Sequence, residues 1–134
     1  MLCREQAAQF TEYADAITAK GADLVFIGNG ESIWAGGFRD RFAPGQRVLS
    51  DPKRDAYWQL KMKKGAKTVW NPKTAAHGAR ATSKGFIQGR TRGVGFQQGG
   101  VLVMGPGDIL HYLYRSDEAG DHPDPDEAIA AIPV

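Results

Sequence analysis

Two residues at the start of the chain have the types and setting for redox chemistry. Cys3 is the only cysteine in the sequence, and Arg4 follows it. Cys3, Ala7, Phe10, Ala14 and Ile17 recur at helical spacing, and Tyr13 joins that face. Arg4, Glu5, Gln6, Glu12 and Asp15 fall mostly off it. A helix start carries roughly half a positive charge, and Arg4 adds another cation. Both favour the thiolate, the nucleophilic form of cysteine. A peroxide oxidises an accessible thiolate to sulfenic acid, which an external thiol then resolves. With a single thiol, no dithiol exchange cycle runs within this chain. The competing reading is a structural cysteine packed on the apolar helix face as a small hydrophobe. Spacing alone favours that simpler account.

Other clusters carry less. Gly28-Asn29-Gly30 lies between a strand and a helix, but the third glycine of a dinucleotide fingerprint would fall at Ile33. Asp121, His122, Asp124 and Asp126 bear metal-ligand atoms, yet Asp124 and Asp126 are better explained as helix-capping residues. His77 and His111 show no ligand spacing. No cofactor and no metal are therefore expected. A basic stretch carrying Trp70 and Phe86 has the residue types of a nucleic-acid surface. A formal net charge of +2 is too small to support that reading, and a solvated lysine-rich face is expected instead.

The elements that must position Cys3 follow from pattern. With 134 residues, the chain suits a single domain, 1–134. Its 42% apolar and 24% charged composition allows a core without disulfide staples. No basic-then-apolar leader opens it, and no apolar run approaches the roughly 20 residues of a membrane span. A cytoplasmic location, with no membrane partner, is the expectation.

After the first helix, Gly21 suits a C-cap. Leu24 to Ile27 reads as a short strand buried on both faces. Glu31 to Phe42 reads as a helix through Ile33, Trp34 and Phe38, weakened by Gly36-Gly37. Arg47 to Ser50 is a second strand. Asp51-Pro52 looks like an N-cap and first helical residue before Ala56, Tyr57 and Leu60. Met62 to Gln98 is glycine-broken and basic, with one helix near Thr74 to Lys84. Gly100–Met104 and Ile109–Tyr114 form a hairpin across Gly105-Pro106-Gly107-Asp108. Asp124-Pro125-Asp126-Glu127 opens a last helix. The order predicts a mixed α/β sheet with helices on its faces.

Leu2-Cys3-Arg4-Glu5-Gln6-Ala7-Ala8-Gln9 resembles the second half of a Cys-x-x-Cys-Arg-Glu motif. That motif marks the peroxiredoxin-like branch of the alkyl hydroperoxide reductase/thiol-specific antioxidant (AhpC/TSA) family. The resemblance continues through Leu24 to Gly30, Ser50-Asp51-Pro52, Lys84-Gly85-Phe86, Phe96 to Val103, His111 to Arg115, and Gly120 to Pro123. It implies a thioredoxin-like fold, thiol-dependent redox chemistry at Cys3 with Arg4 as electrostatic helper, and an external thioredoxin- or glutathione-like reductant. Two departures stand out. The first cysteine of the motif, and the central strand delivering it, would fall before Met1, so the chain reads as truncated at its start. Gly99 also stands where peroxidatic relatives place an arginine. The missing strand would leave two apolar strand edges unpaired, which predicts a homodimer. The alternative is a non-catalytic thioredoxin-fold binding module that has lost its active site.

Overall fold

The computed structural model describes residues 2–86 and 97–133. The glycines and arginines read between 87 and 96 lie outside the described residues.

The first helical stretch is split in two, α1 (Leu2–Glu12) and α2 (Ala14–Ala19). The Thr11 hydroxyl donates back to the Ala7 carbonyl at 2.7 Å, a bond that loosens a helix just before the break at Tyr13. Ala7, Phe10 and Ile17 are buried as the periodicity requires. Gly21 closes α2 at φ +78°. Its N–H donates to Thr18 and that of Ala22 to Ile17, the paired bonds of a Schellman cap.

Strands β1 (Val25–Gly28) and β2 (Arg47–Ser50) pair in parallel, with Val25 opposite Arg47 and Gly28 opposite Ser50. Between them, one 3-10 turn (Ser32–Trp34) leads into α3 (Ala35–Phe42), which packs on β2 and α1. The predicted helix is thus shorter than its pattern. Ile33 is 73% exposed and covers no core, because the tighter turn carries it off the α3 face.

Helix α4 (Asp55–Gln59) starts later than its proline suggests. Asp51 still caps it, accepting from the N–H groups of Asp55 and Ala56 at 3.0 and 2.9 Å across an intervening turn. In the basic stretch, α5 (Pro72–Ser83) carries a full N-terminal signal. Asn71 accepts from the Thr74 N–H at 2.9 Å, and Pro72 is the first helical residue.

Strands β3 (Gly100–Gly105) and β4 (Ile109–Arg115) form the antiparallel hairpin, with a bulge at Val103/Met104. Gly100 is required there, since a Cβ would lie 2.0 Å from the Tyr114 carbonyl oxygen. Helix α6 (Pro125–Ala130) begins as the sequence indicates, with the Asp124 carboxylate accepting from the Asp126 N–H at 3.0 Å. The α6 residue Ala128 and nearby Ile132 enter the core.

The expected mixed α/β composition is present, but the strands form two separate sheets, β1-β2 and β3-β4. No ladder joins β1 to β3 among the described residues. The expectation that β1 is covered on both faces is corrected: Ile27 is 46% exposed. No large side chain among the described residues is fully buried, so the core is thin. No helix among them is long and apolar enough to cross a membrane.

Candidate active site around Cys3

Cys3 lies in the first turn of α1, and its side chain is exposed. Ala7 and Phe10, one and two turns further on, are the residues that seat the helix. Cys3 precedes the packed part of that apolar stripe, so the buried structural reading fails. Arg4 extends over the Phe42 ring of α3, with its guanidinium carbon 5.3 Å from the ring centre. That cation–π contact fixes the start of α1 against α3.

Tyr57 of α4 reaches β1. Its hydroxyl donates to the Ile27 carbonyl at 2.9 Å. The neighbouring Gly28 carbonyl accepts from Asp51 on the β2 side. Carbonyls alternate along a strand, so Tyr57 meets the β1 edge that β2 leaves open. Its ring also faces Gly99, where an added Cβ would lie 3.9 Å from Cε1. Burial above all, and after it the electrostatic influence of Cys3 and Asp51, pushes the phenol above its ordinary range. One aromatic ring thereby links β1 and the approach to β3. The sequence reading counted Tyr57 only as part of an amphipathic face.

The strongest polar anchor of α1 was also misplaced by periodicity. Glu5, assigned off the apolar face, is 5% exposed. Its carboxylate accepts from Arg80 Nε at 3.0 Å and Nη2 at 3.3 Å, with Lys84 Nζ at 3.5 Å. Arg80 also donates to the Gly120 carbonyl at 3.1 Å and lies 3.0 Å from His77 Nδ1. His77 Nε2 in turn meets Glu118 at 3.2 Å. Burial works to raise the Glu5 pKa. The Arg80 hydrogen bond and the charges of Arg80, His122 and Lys84 outweigh it and hold the carboxyl below its usual range.

His122 borders this network with both ring nitrogens shielded from solvent and unpartnered. Burial pushes its imidazole down to about 4; Glu5 and Asp121 oppose that shift, while Arg80 and His77 reinforce it.

The acidic residues weighed as metal ligands disperse into structural roles. Asp124 caps α6. Asp121 accepts from the Tyr114 hydroxyl at 2.6 Å and the Asp117 N–H at 2.8 Å. Oxygens of Asp117, Glu118 and Asp121 lie within 4.8 Å of one another. Lys63 and His77 already engage Asp117 and Glu118.

Comparison with known proteins adds to this geometry. Residues 9–118 match the family described as AhpC/TSA antioxidant enzyme. The chain belongs to that family. As an AhpC/TSA member it carries a thioredoxin-like fold, with which its mixed α/β arrangement accords. The matched residues begin after Cys3. A relative from Arabidopsis thaliana, "Thioredoxin-like protein AAED1, chloroplastic", is 33% identical over 140 residues. That alignment covers 98% of this chain and 56% of the relative. The human protein "Peroxiredoxin-like 2C" is 29% identical over 85 residues, covering 56% of this chain and 37% of its own length. The AhpC/TSA chain thus spans only about half, or less, of these relatives. No solved structure matches it.

Proposed function

We propose that this AhpC/TSA protein is a thiol-dependent antioxidant whose nucleophile is Cys3. The observation that carries the proposal is the exposed thiol in the first turn of α1, in a chain of this family. The Cys3 thiolate attacks one peroxide oxygen. An S–O bond forms, the O–O bond breaks, and the departing oxygen leaves as an alcohol or water after taking a proton. Two electrons pass from sulfur to peroxide, leaving Cys3 as sulfenic acid. An external thiol then attacks that sulfur and releases water, forming a mixed disulfide. A second external thiol frees Cys3 and leaves as the external disulfide. Arg4 is the charge beside the thiolate. The setting is a reducing compartment such as the cytoplasm.

Gly99 supplies no guanidinium to polarise the peroxide, so turnover is expected to be slow. Peroxide loss under excess dithiothreitol measures it. Cys3→Ser should abolish the protein-dependent loss, and Arg4→Gln should lower it by roughly 1.5-fold to fivefold, in line with the worth of one partly solvated charge. A parent rate no faster than dithiothreitol alone would instead favour a non-catalytic binding module, and turnover retained in Cys3→Ser would exclude Cys3 as the nucleophile.

The two open sheets support a proposed homodimer. Ile27 of β1 and Met104 of β3 are 46% and 55% exposed, and apolar strands with open edges recruit further strands. Light scattering should report a dimer at high micromolar concentration. A monomer at the highest attainable concentration would remove this part of the proposal.

A further inference from the structure

The net charge of +2 conceals a segregation along the chain. Residues 53–84 hold nine lysines and arginines against one acid, Asp55, whereas residues 117–127 hold six acids and neither lysine nor arginine. Part of the basic charge is neutralised within the fold. Lys63 pairs with Asp117, and Arg80 and Lys84 pair with Glu5. Lys61, Lys64, Lys67 and Lys73 are exposed, and none of them has a carboxylate partner among the described residues.

Two of those four lysines, Lys61 and Lys64, line a cleft of about 260 Å³ at the end of α4, together with Tyr57, Trp58, Met62 and Gln97. Lys64 Nζ sits 3.5 Å from the centre of the Trp58 ring, and the Arg54 guanidinium carbon lies 5.8 Å from it. Trp58 is still 53% exposed, so a broad aromatic surface stands open among cations. The walls are held from several sides. Lys64 and Gln97 form an antiparallel bridge. The Gln97 amide donates to the Lys63 and Gln98 carbonyls at 3.0 and 2.9 Å, while its oxygen accepts from Arg54 at 3.2 Å. Arg115 holds the end of α4 by donating to the Leu60 carbonyl at 2.6 Å.

Cations alone attract any anion. An open indole among them adds a face on which a flat ring stacks, and the two together fit a polyanion that carries flat rings. Proteins hold single strands without reading sequence in this way, with bases on aromatic side chains and phosphates on a basic groove. In a duplex each base face is covered by its neighbour, so the indole favours the unpaired form. We propose that this cleft binds single-stranded nucleic acid. One base stacks on Trp58 beside Met62, and the flanking phosphates pair with Arg54, Lys61 and Lys64. Trp70, 79% exposed, lies six residues beyond Lys64 and thus within about 22 Å of it even along a fully extended chain. Trp70 and the intervening Lys67 are within reach of the same bound strand. The expectation of a merely solvated lysine-rich face rested on net charge, which this segregation makes uninformative. The activity involves no thiol and stands apart from the one proposed for Cys3.

Fluorescence anisotropy of a labelled dodecathymidylate tests this. Binding should saturate, and with three phosphates neutralised it should weaken about twentyfold between 50 and 200 mM salt, at a slope of about −0.7 for each phosphate. The aromatic and basic parts of the cleft then separate by variant. Lys61→Gln combined with Lys64→Gln should make the logarithmic salt slope shallower by about 1.4, because two phosphate contacts are gone. Trp58→Ala should weaken binding at least about fivefold at every salt concentration and leave the slope unchanged, because stacking releases no counterions. Trp58→Phe keeps a stacking ring and should stay within about threefold of the parent.

Absence of saturable binding at 50 mM salt would overturn the proposal. So would a loss below about twofold in Trp58→Ala, which would reduce the binding to a general effect of surface lysines. A duplex of the same length bound as tightly as the single strand would remove the stacked base. Adenosine monophosphate competing mole for mole with the strand would make the cleft a site for free nucleotides instead. Should Trp58→Ala fail to fold, the parent's tryptophan fluorescence decides. Stacking should quench it saturably, with the midpoint found by anisotropy, and an unchanged spectrum overturns the proposal.

Discussion

Replacing Arg80 with alanine is expected to cost about 3 kcal/mol of folding stability, the low end for breaking a buried ion pair. The Glu5 side chain is only 6% exposed, whereas Arg80 is 38% exposed, so solvent screens part of the pair. The two partners are therefore not equivalent. Without Arg80, the Glu5 carboxylate stays enclosed with only Lys84 nearby at 3.5 Å. The Gly120 carbonyl and His77 also lose a donor. Without Glu5, Arg80 retains those contacts and can turn its guanidinium toward water. Glu5→Leu should accordingly cost less, about 1–2 kcal/mol. The double variant should be more stable than Arg80→Ala alone, because no carboxylate remains to be stranded. Urea denaturation of the three variants checks the order. An Arg80→Ala cost below about 1 kcal/mol would show that Glu5 is hydrated in solution. The consequence reaches function, since Glu5 is two residues from Cys3 and anchors the same turn of α1.

That anchor also shows where sequence legibility ends. Local signals were readable because their physics is local. Gly21 closes α2 and Asp124 caps α6 within a few residues of where they stand. The hairpin strands alternate with turn residues between them, and both fall where expected, one residue longer at the far end of each. The same kind of signal stands at Asn71-Pro72, inside a stretch whose glycines and lysines break up the helical pattern. Glu5 differs in kind. Its partner lies 75 positions away, and helical periodicity places an acidic residue on the wet side by default. Tyr57 and Gln97 are set by contacts of 30 and 34 positions to Ile27 and Lys63, which a window of neighbouring residues cannot contain. Cys3 was singled out by chemistry, but spacing favoured burying it. The structure exposes it, because the helix is seated one turn further along.

The last expected result concerns His122, for which the sequence offered a metal reading and the structure a buried neutral imidazole. Stability should fall by about 3 kcal/mol as pH drops from about 6.5 to 4, through this residue alone. The sign follows from proton binding. The unfolded imidazole takes up its proton near its ordinary value of 6.5, whereas the folded one resists until about 4. Between those values the unfolded state binds more protons, so stability rises with pH across the window and is lost on acidification. Below it both states are protonated, and His122 contributes no further slope. The facing charges are Glu5 of α1, Arg80 and His77 of α5, and the neighbouring Asp121, with burial dominating all of them. Glu5 adds a separate loss at lower pH. Its folded carboxyl lies below the ordinary 4.5, so its stabilisation is present above that value and disappears as pH falls through the folded pKa. His122→Leu separates the two effects. Urea denaturation between pH 7 and 4.5 should give a nearly flat profile for the variant and a falling one for the parent. Below pH 4.5 both should decline together as Glu5 takes its proton and releases Arg80. Parallel slopes for parent and variant above pH 4.5 would mean that water reaches the His122 nitrogens in solution, and that its neutral burial does not govern the acid sensitivity of the fold.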